Sequence, residues 1–371
     1  MIKVGQSKQQ IDTPALVIDR QKLMTNLNFM QDFANKQGKQ LRPHAKTHKC
    51  TQLAKLQKQT GAIGICATKV GEAEVLVTKG ITGVLLTSPV VTPQKIQRLV
   101  QLVQKESGIM VVVDQAENAQ ALSQASLQAG TTLKVLVDID PGVHRTGTSY
   151  ANALTLGKLL HELPGLSLQG LQCYAGNLQH IHDFNDRKTA SSLAMQKASD
   201  VLAQFKKENL PCTILTGTGT GTYDIDSQVD LVTEIQPGSY TVMDQEYANI
   251  QWQNLQAFNP FQPAMTLLTT VISANHESHV TVDAGLKSLY IDQTPPRIIS
   301  HPHLSYDWGG FGDEHGKITS DGTGTLPKVG EVLELIVPHC DPTINLFDQF
   351  YITEGDTITD IWPIDLRGKS Q

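Results

Sequence analysis

The chain has 371 residues, 40% of them hydrophobic, which is enough for two domains or for one large α/β unit with an addition. A net charge of −6 built from mixed signs without a basic stripe argues against nucleic acid or an anionic membrane and for small molecules as partners. No stretch is apolar for long enough to cross a bilayer, MIKVGQSKQQ carries no signal-peptide core, and the five cysteines are scattered without CxxC spacing, so reduced thiols and the cytoplasm are expected.

After the strand-like PALVID (14–19), Leu23, Leu27, Met30 and Ala34 recur at helical spacing and predict a helix ending near Gly38. Short β-branched runs then alternate with helical segments: LRPHAK, GICAT, GVLLTSP, GIMVVVD, LKVLVDID, LQGLQCY, CTILTG and LVTEIQPG. Ile96, Leu99, Val100 and Val103 mark one intervening helix, and Ala194, Ala198, Val201, Leu202 and Phe205 another. Eight strands alternating with helices imply parallel pairing through βαβ crossovers, and their even repetition predicts a (β/α)8 TIM-type barrel over residues 15–258, with a doubly wound open sheet as the rival.

Beyond a linker at FNPFQPAM (258–265) the period changes to two in TLLTTVIS, HVTVDAG, VLELIVP and FYITEGDTITDIWPI. Residues 259–371, with 1–14, are therefore expected to form an all-β domain. PALVID pairs either with that domain or with the barrel's edge; both readings stand.

Barrel chemistry gathers at the C-terminal ends of the strands. Lys46 ends the first strand in RPHAKTHK (42–49), where poor solvation and neighbouring cations predict a deprotonated amine able to form an imine; a basic surface loop is the rival reading. His144 and Arg145 follow strand five, Tyr174 and His180 follow strand six in YAGNLQH, and strands seven and eight run into TGTGTGT (216–222) and QPGSY (236–240). Those two glycine turns offer backbone N–H groups and the hydroxyls of Thr218, Thr220, Ser239 and Tyr240 to one anion, with Gly219 and Gly238 at their bends. A phosphate cup opposite a lysine is what pyridoxal 5'-phosphate requires, with Arg145 as candidate partner of its ring nitrogen; a salt bridge at the barrel rim is the rival reading of that arginine. In VPHCDPTINLFD (337–348) strand alternation would turn His339 and Asp341 to one side and Cys340 to the other, half a site for a divalent metal such as Mn²⁺ or Mg²⁺, with Zn²⁺ still open; a hydrogen-bonded His/Asp pair at a strand end is the rival.

RPHAKTHK, the RTG of HRTG, YAGNLQH, QPGSY with Met243 and Asp244, DAGLKSL, GDEHG and PHCDPTINLFD together resemble the D-threonine aldolase family and its D-serine dehydratase relatives, alanine-racemase-like pyridoxal phosphate enzymes. The resemblance implies that Lys46 holds the cofactor covalently, that Arg145 and Tyr174 lie beside its ring, and that the two glycine turns take its phosphate. It implies a divalent metal on His339 and Asp341, His180 near the substrate's β-hydroxyl, and a homodimer. It also implies a carbon–carbon lyase that cleaves β-hydroxy-D-amino acids such as D-threonine to glycine and an aldehyde. The dehydratase relatives carry cysteine where this chain has Asp341, which implies the aldolase branch, with D-serine or D-3-hydroxyaspartate dehydration as the alternative. A non-catalytic vitamin B6 carrier and a sugar-phosphate aldolase using Lys46 directly are further readings.

Overall fold

The computed structural model describes residues 3–253, 259–292, 294–308 and 311–371. Phe258 of the expected linker, with Gly309 and Gly310 of the loop before GDEHG, lies outside them. The chain opens with β1 (Ala15–Asp19) and α1 (Arg20–Lys36), and the Asp19 carboxylate caps that helix by accepting from the Lys22 N–H at 3.0 Å. Leu23, Leu27, Met30 and Ala34 form its buried face.

Eight short strands then alternate with helices: β2 (Gln40–Leu41), α2 (Thr51–Thr60), β3 (Ile65–Ala67), α3 (Val70–Thr78), β4 (Val84–Leu86), α4 (Pro93–Lys105) and β5 (Met110–Val113). They continue through α5 (Ala116–Gln128), β6 (Leu133–Ile139), α6 (Tyr150–Glu162), β7 (Leu166–Cys173), α7 (Phe184–Lys207), β8 (Ile214–Gly217), α8 (Tyr223–Asp226) and β9 (Glu234–Ile235). The strands pair in parallel in the order β2-β9-β8-β7-β6-β5-β4-β3. The ring closes where Ala45 N donates to Cys66 O at 2.9 Å and Cys66 N to Pro43 O at 2.8 Å, so the sheet is a barrel and not an open doubly wound sheet. Runs such as Met110–Val113 are buried at every position, as strands covered by helices outside and side chains inside must be.

Pro43 supplies no N–H to the ladder, and β2 stops at Leu41. Lys46 therefore sits in a turn beyond the strand, closed by Lys49 N donating to Ala45 O at 2.8 Å, and not on the strand's last residue.

After α9 (Gln245–Asn249) come β10 (Met265–Ser273), β11 (His279–Val282), β12 (Arg297–Ile298), β13 (Leu304–Asp307), β14 (Gly316–Ser320), β15 (Val332–Ile336), α10 (Cys340–Ile344), β16 (Gln349–Glu354) and β17 (Thr357–Pro363). β1 joins this second sheet, antiparallel to β10 and parallel to β16. A barrel boundary at residue 15 thus cuts off a strand that is hydrogen-bonded in the other sheet. The cause is two-sided burial: Leu16 and Ile18 enter the main core while Ala15 and Val17 enter a separate cluster with Leu268 and Ile358, and only a central position covers both faces. Asp283 is structural, accepting from Thr13 Oγ1 and Thr269 Oγ1 at 2.6 Å each and from Thr270 N at 2.9 Å.

The strand alternation expected at His339 and Asp341 is absent. β15 ends at Ile336, His339 is the extended residue before α10, and Asp341 lies in that helix's first turn. Pro338 and Pro342 break the ladder, and a proline in the first helical turn costs no hydrogen bond. The two residues share a direction through a helical turn and not through the pleat.

Asp226 in α8 is buried with no cation paired to it among the described residues, accepting from Ser191 Oγ at 2.5 Å and Thr222 Oγ1 at 2.7 Å, and burial raises its pKa to about 6. The folded pKa lies above the ordinary aspartate value of 3.8, so its favourable contribution is complete below the unfolded pKa and is lost as pH rises through about 6. Asp226→Asn is expected to stabilise the protein by up to ~3 kcal/mol at pH 8 and to be nearly neutral near pH 4. Thermal melts at the two pH values check this, and an equal shift at both contradicts it.

Candidate active site

One cavity of about 300 Å³ lies at the C-terminal end of the barrel, lined by Lys46, Arg145, Tyr174, His180, Gly219, Thr220, Gly238 and Ser239 from the barrel and by His339 and Asp341 from the second domain. Ten residues singled out in the sequence converge there.

The lysine turn is held by its own histidines. His44 Nδ1 accepts from the Lys46 N–H at 3.3 Å while Nε2 meets Thr87 Oγ1 at 3.0 Å. His48 repeats the pattern, with Nδ1 on the Cys50 N–H at 3.2 Å and Nε2 on Gln57 Oε1 at 3.2 Å. A backbone N–H only donates, so each Nδ1 is unprotonated and each ring neutral. Burial agrees, lowering His44 well below the usual histidine value and His48 to about 4.

Lys46 departs from the sequence expectation. Burial lowers its pKa, but the Tyr174 phenol and the Asp341 carboxylate outweigh burial, and even Arg145, so the net shift is upward. Asp341 Oδ2 stands 3.6 Å from Nζ. The neighbouring imidazoles of His44 and His48 are neutral, and the second domain contributes an anion. The free amine is a paired ammonium, not a deprotonated one.

Arg145 and Lys46 flank Tyr174, with the guanidinium carbon 5.8 Å and Nζ 5.9 Å from the ring centroid. His180 packs on Tyr247, with ring centroids 4.4 Å apart, and faces His339 at 6.2 Å. Burial lowers the His180 pKa, outweighing the pull of Asp244 and Asp341, so the ring is a neutral proton acceptor. Asp138, at the cavity wall, accepts from Gln172 Nε2 at 2.9 Å and Thr146 Oγ1 at 3.0 Å, and burial raises it to about 6.

The anion cup is narrower than expected. Among the described residues the N–H groups of Thr220, Gly238 and Ser239, which line the cavity, have no protein acceptor and are available to an anion. A Cβ on Gly238 would lie 2.4 Å from Thr47 Oγ1, and one on Gly219 2.3 Å from Gln179 Oε1, so a side chain at either bend forces Thr47 or Gln179 to move. Thr218 and Tyr240 fall outside the cup. The Thr218 side chain is buried off the cavity, and its residue takes φ +73° to bend the turn. The Tyr240 hydroxyl accepts from Gln57 Nε2 at 3.4 Å, and its ring packs 5.8 Å from Phe261 in the core. Its backbone N–H is taken by Thr220 Oγ1 at 3.0 Å.

His339, Cys340 and Asp244 bring donor atoms within 4.8 Å of one another. Asp244 is fully buried and accepts from His339 Nδ1 and Cys340 N at 3.0 Å each and from Tyr247 N at 2.9 Å. The Cys340 thiol is buried, and burial raises its pKa well above normal. The groups that face the cavity are therefore His339 and Asp341; burial disfavours the charged His339 ring, but Asp244, Asp341 and Glu246 outweigh it and raise its pKa to about 9, so a cation that binds at Nε2 displaces a proton. Burial would raise Asp341, but Lys46 and His339 outweigh it and bring the carboxyl down to about 2. One imidazole nitrogen and one ionised carboxylate fit a divalent cation, and the free N–H groups opposite a lysine fit a phosphorylated aldehyde cofactor. Asp244 belongs to a motif that carries the family resemblance, but the sequence assigns it no role, because an aspartate after QPGSY has no spacing relation to His339.

Residues 18–246 match the family described as Alanine racemase, N-terminal domain, and residues 264–353 the Putative serine dehydratase domain. The chain is 37% identical to a D-threonine aldolase of Arthrobacter sp, over 99% of this chain and 96% of that protein. It belongs to the D-threonine aldolase family. A 3-hydroxy-D-aspartate aldolase of Paracoccus denitrificans (strain Pd 1222) is 34% identical over 98% of this chain and 94% of that protein. The crystal structure of D-threonine aldolase from Filomicrobium marinum superposes with a TM-score of 0.94 at 35% identity, covering 100% of this chain and 99% of that one. The alanine-racemase-like architecture expected from the sequence is thus that of the D-threonine aldolase family.

Proposed function

We propose that the chain is a pyridoxal phosphate- and divalent-metal-dependent carbon–carbon lyase that cleaves D-threonine and related β-hydroxy-D-amino acids to glycine and an aldehyde. The observation that carries this reading is Asp341, an ionised carboxylate beside His339 and 3.6 Å from Lys46 Nζ. Lys46 would hold the cofactor, Arg145 and Tyr174 would flank its ring, and the N–H groups of Thr220, Gly238 and Ser239 would take its phosphate. His339 and Asp341 would hold the cation; their hard and borderline donors favour Mn²⁺ or Mg²⁺ over Zn²⁺. When bound, the cofactor supplies an electron sink at Cα and the cation a Lewis acid at the β-oxygen.

The protein's own groups then move protons. The neutral His180 ring takes the proton of the substrate's β-hydroxyl, the Cα–Cβ bond breaks, the aldehyde leaves, and Lys46 Nζ returns a proton to Cα to give glycine. Buried His44 and His48 keep the Lys46 turn in place throughout.

Incubating the purified protein with D-threonine and assaying both product pairs tests the reading. Acetaldehyde with glycine is expected; 2-oxobutanoate with ammonia alone would instead make it a dehydratase, the reading favoured by the match of residues 264–353 to the Putative serine dehydratase domain. The proposal includes a homodimer, on the strength of the family resemblance, and a cytoplasmic location, supported by five free, buried cysteines. Sedimentation of the purified protein tests the first.

Asp244→Asn removes the charge that fixes the His339 ring. It is expected to weaken divalent-cation binding by about 10–100-fold with cofactor content unchanged, read as the Mn²⁺ concentration that restores activity after chelation. An unchanged Mn²⁺ requirement contradicts the role assigned to Asp244.

A further inference from the structure

Arg187, in the first turn of α7, is fully buried, and every hydrogen bond of its guanidinium goes to a backbone carbonyl. Nε donates to Gly221 O at 2.8 Å, Nη1 to Ile181 O at 2.5 Å and His182 O at 3.3 Å, and Nη2 to Gln251 O. These acceptors come from three separate segments. Ile181 and His182 follow His180 directly, Gly221 belongs to the glycine turn that presents Thr220, and Gln251 follows the short helix that carries Tyr247.

Three further bonds tie the same segments to one another. Gln251 N donates to His182 O at 2.9 Å, and Gly221 N donates to Gln179 Oε1 at 3.0 Å while Gln179 Nε2 donates to Thr222 Oγ1 at 3.0 Å. A desolvated cation is costly unless its donors are all met. Here the acceptors converge only when the His180 loop, the glycine turn and the segment after α9 are docked together. Opening any one of them leaves part of the buried guanidinium without an acceptor, which couples the three energetically.

We propose that Arg187 is a positioning residue that holds His180 in register with the anion cup and with Tyr247, and so sets the reach of the proton acceptor to the substrate's β-hydroxyl. It rests on the aldolase reading of the site. Arg187 touches neither the cavity nor its contents and acts only through His180 and its neighbours.

The test combines Arg187→Lys, Arg187→Met, His180→Gln and the double variant Arg187→Lys/His180→Gln, each saturated with pyridoxal phosphate and Mn²⁺. Arg187→Lys is expected to lower kcat for D-threonine cleavage by about 10–100-fold with little change in KM, because an ångström of misplacement costs that much. In the His180→Gln background the same substitution is expected to cost less than about twofold, since coupled residues do not add. Fully additive losses, or a lowered melting temperature with kcat unchanged, overturn the proposal. A second measurement requires neither activity nor a variant. In the cofactor-free wild-type protein, hydrogen exchange at the Gly221 and Gln251 amides is expected to report one common opening free energy, and unrelated rates overturn the coupling. If wild-type protein releases no acetaldehyde, the aldolase reading fails by itself, while the exchange result still decides whether the three segments are coupled.

Discussion

Lys46→Ala is expected to yield a folded, colourless protein whose turnover of D-threonine is lower by at least ~10⁴-fold, the scale of losing a covalent and proton-transferring group together. Folding should survive because the turn is held by the Lys46 N–H on His44 and by Lys49 N on Ala45 O, neither of which involves the side chain. Lys46→Arg separates charge from nucleophilicity. It keeps a cation opposite Asp341 but offers no amine for covalent attachment, and it should be as colourless and inactive as the alanine variant. The measurements are visible absorbance after dialysis against pyridoxal phosphate, and acetaldehyde release. A yellow or active Lys46→Ala protein would remove the basis of the functional reading.

The second large effect is expected at Asp341. Asp341→Ala takes away one of the two groups facing the cavity from the second domain and should lower cleavage by about 10³-fold, matching the several kcal/mol a Lewis acid contributes at a developing oxyanion. The visible absorbance should remain, because Asp341 belongs to a different arm of the site from the residues expected to hold the cofactor. Chelation of the wild-type protein should reproduce that combination of intact colour and lost turnover, with recovery on Mn²⁺ addition. If Asp341→Ala loses its colour while chelation of the wild type does not, the carboxylate serves Lys46 through their 3.6 Å pairing and not a metal.

Much of the architecture is legible in the sequence because the signals are local. Each barrel strand is a short apolar run bounded by turn residues, and all eight runs pair as the βα alternation requires. The glycine turns after β8 and β9 were legible for the same reason. A bend where a Cβ at Gly219 or Gly238 would force a neighbour to move favours glycine in the chain itself. Local logic failed where two periods compete. The segment holding His339 and Asp341 alternates like a strand, yet its prolines turn it into the start of α10. At Tyr240 a hydroxyl next to a phosphate-type turn looked like a ligand, but the ring is large and apolar, and the core at Phe261 takes it.

By itself the sequence determined the barrel, the all-β addition and the ends of the strands at which Lys46, Arg145, Tyr174, His180 and the glycine turns would meet, since periodicity and turn chemistry act between residues a few positions apart. Only the tertiary structure decided the charge on Lys46, the carboxylate that fixes the His339 ring, the burial of Asp244 and the convergence of three loops on Arg187. Those properties depend on which dipoles and charges stand within a few ångströms. When the partners are as far apart in the chain as Lys46 and Asp341, or Asp244 and His339, docking of the second domain onto the barrel creates the interaction, and nothing local in the chain encodes it.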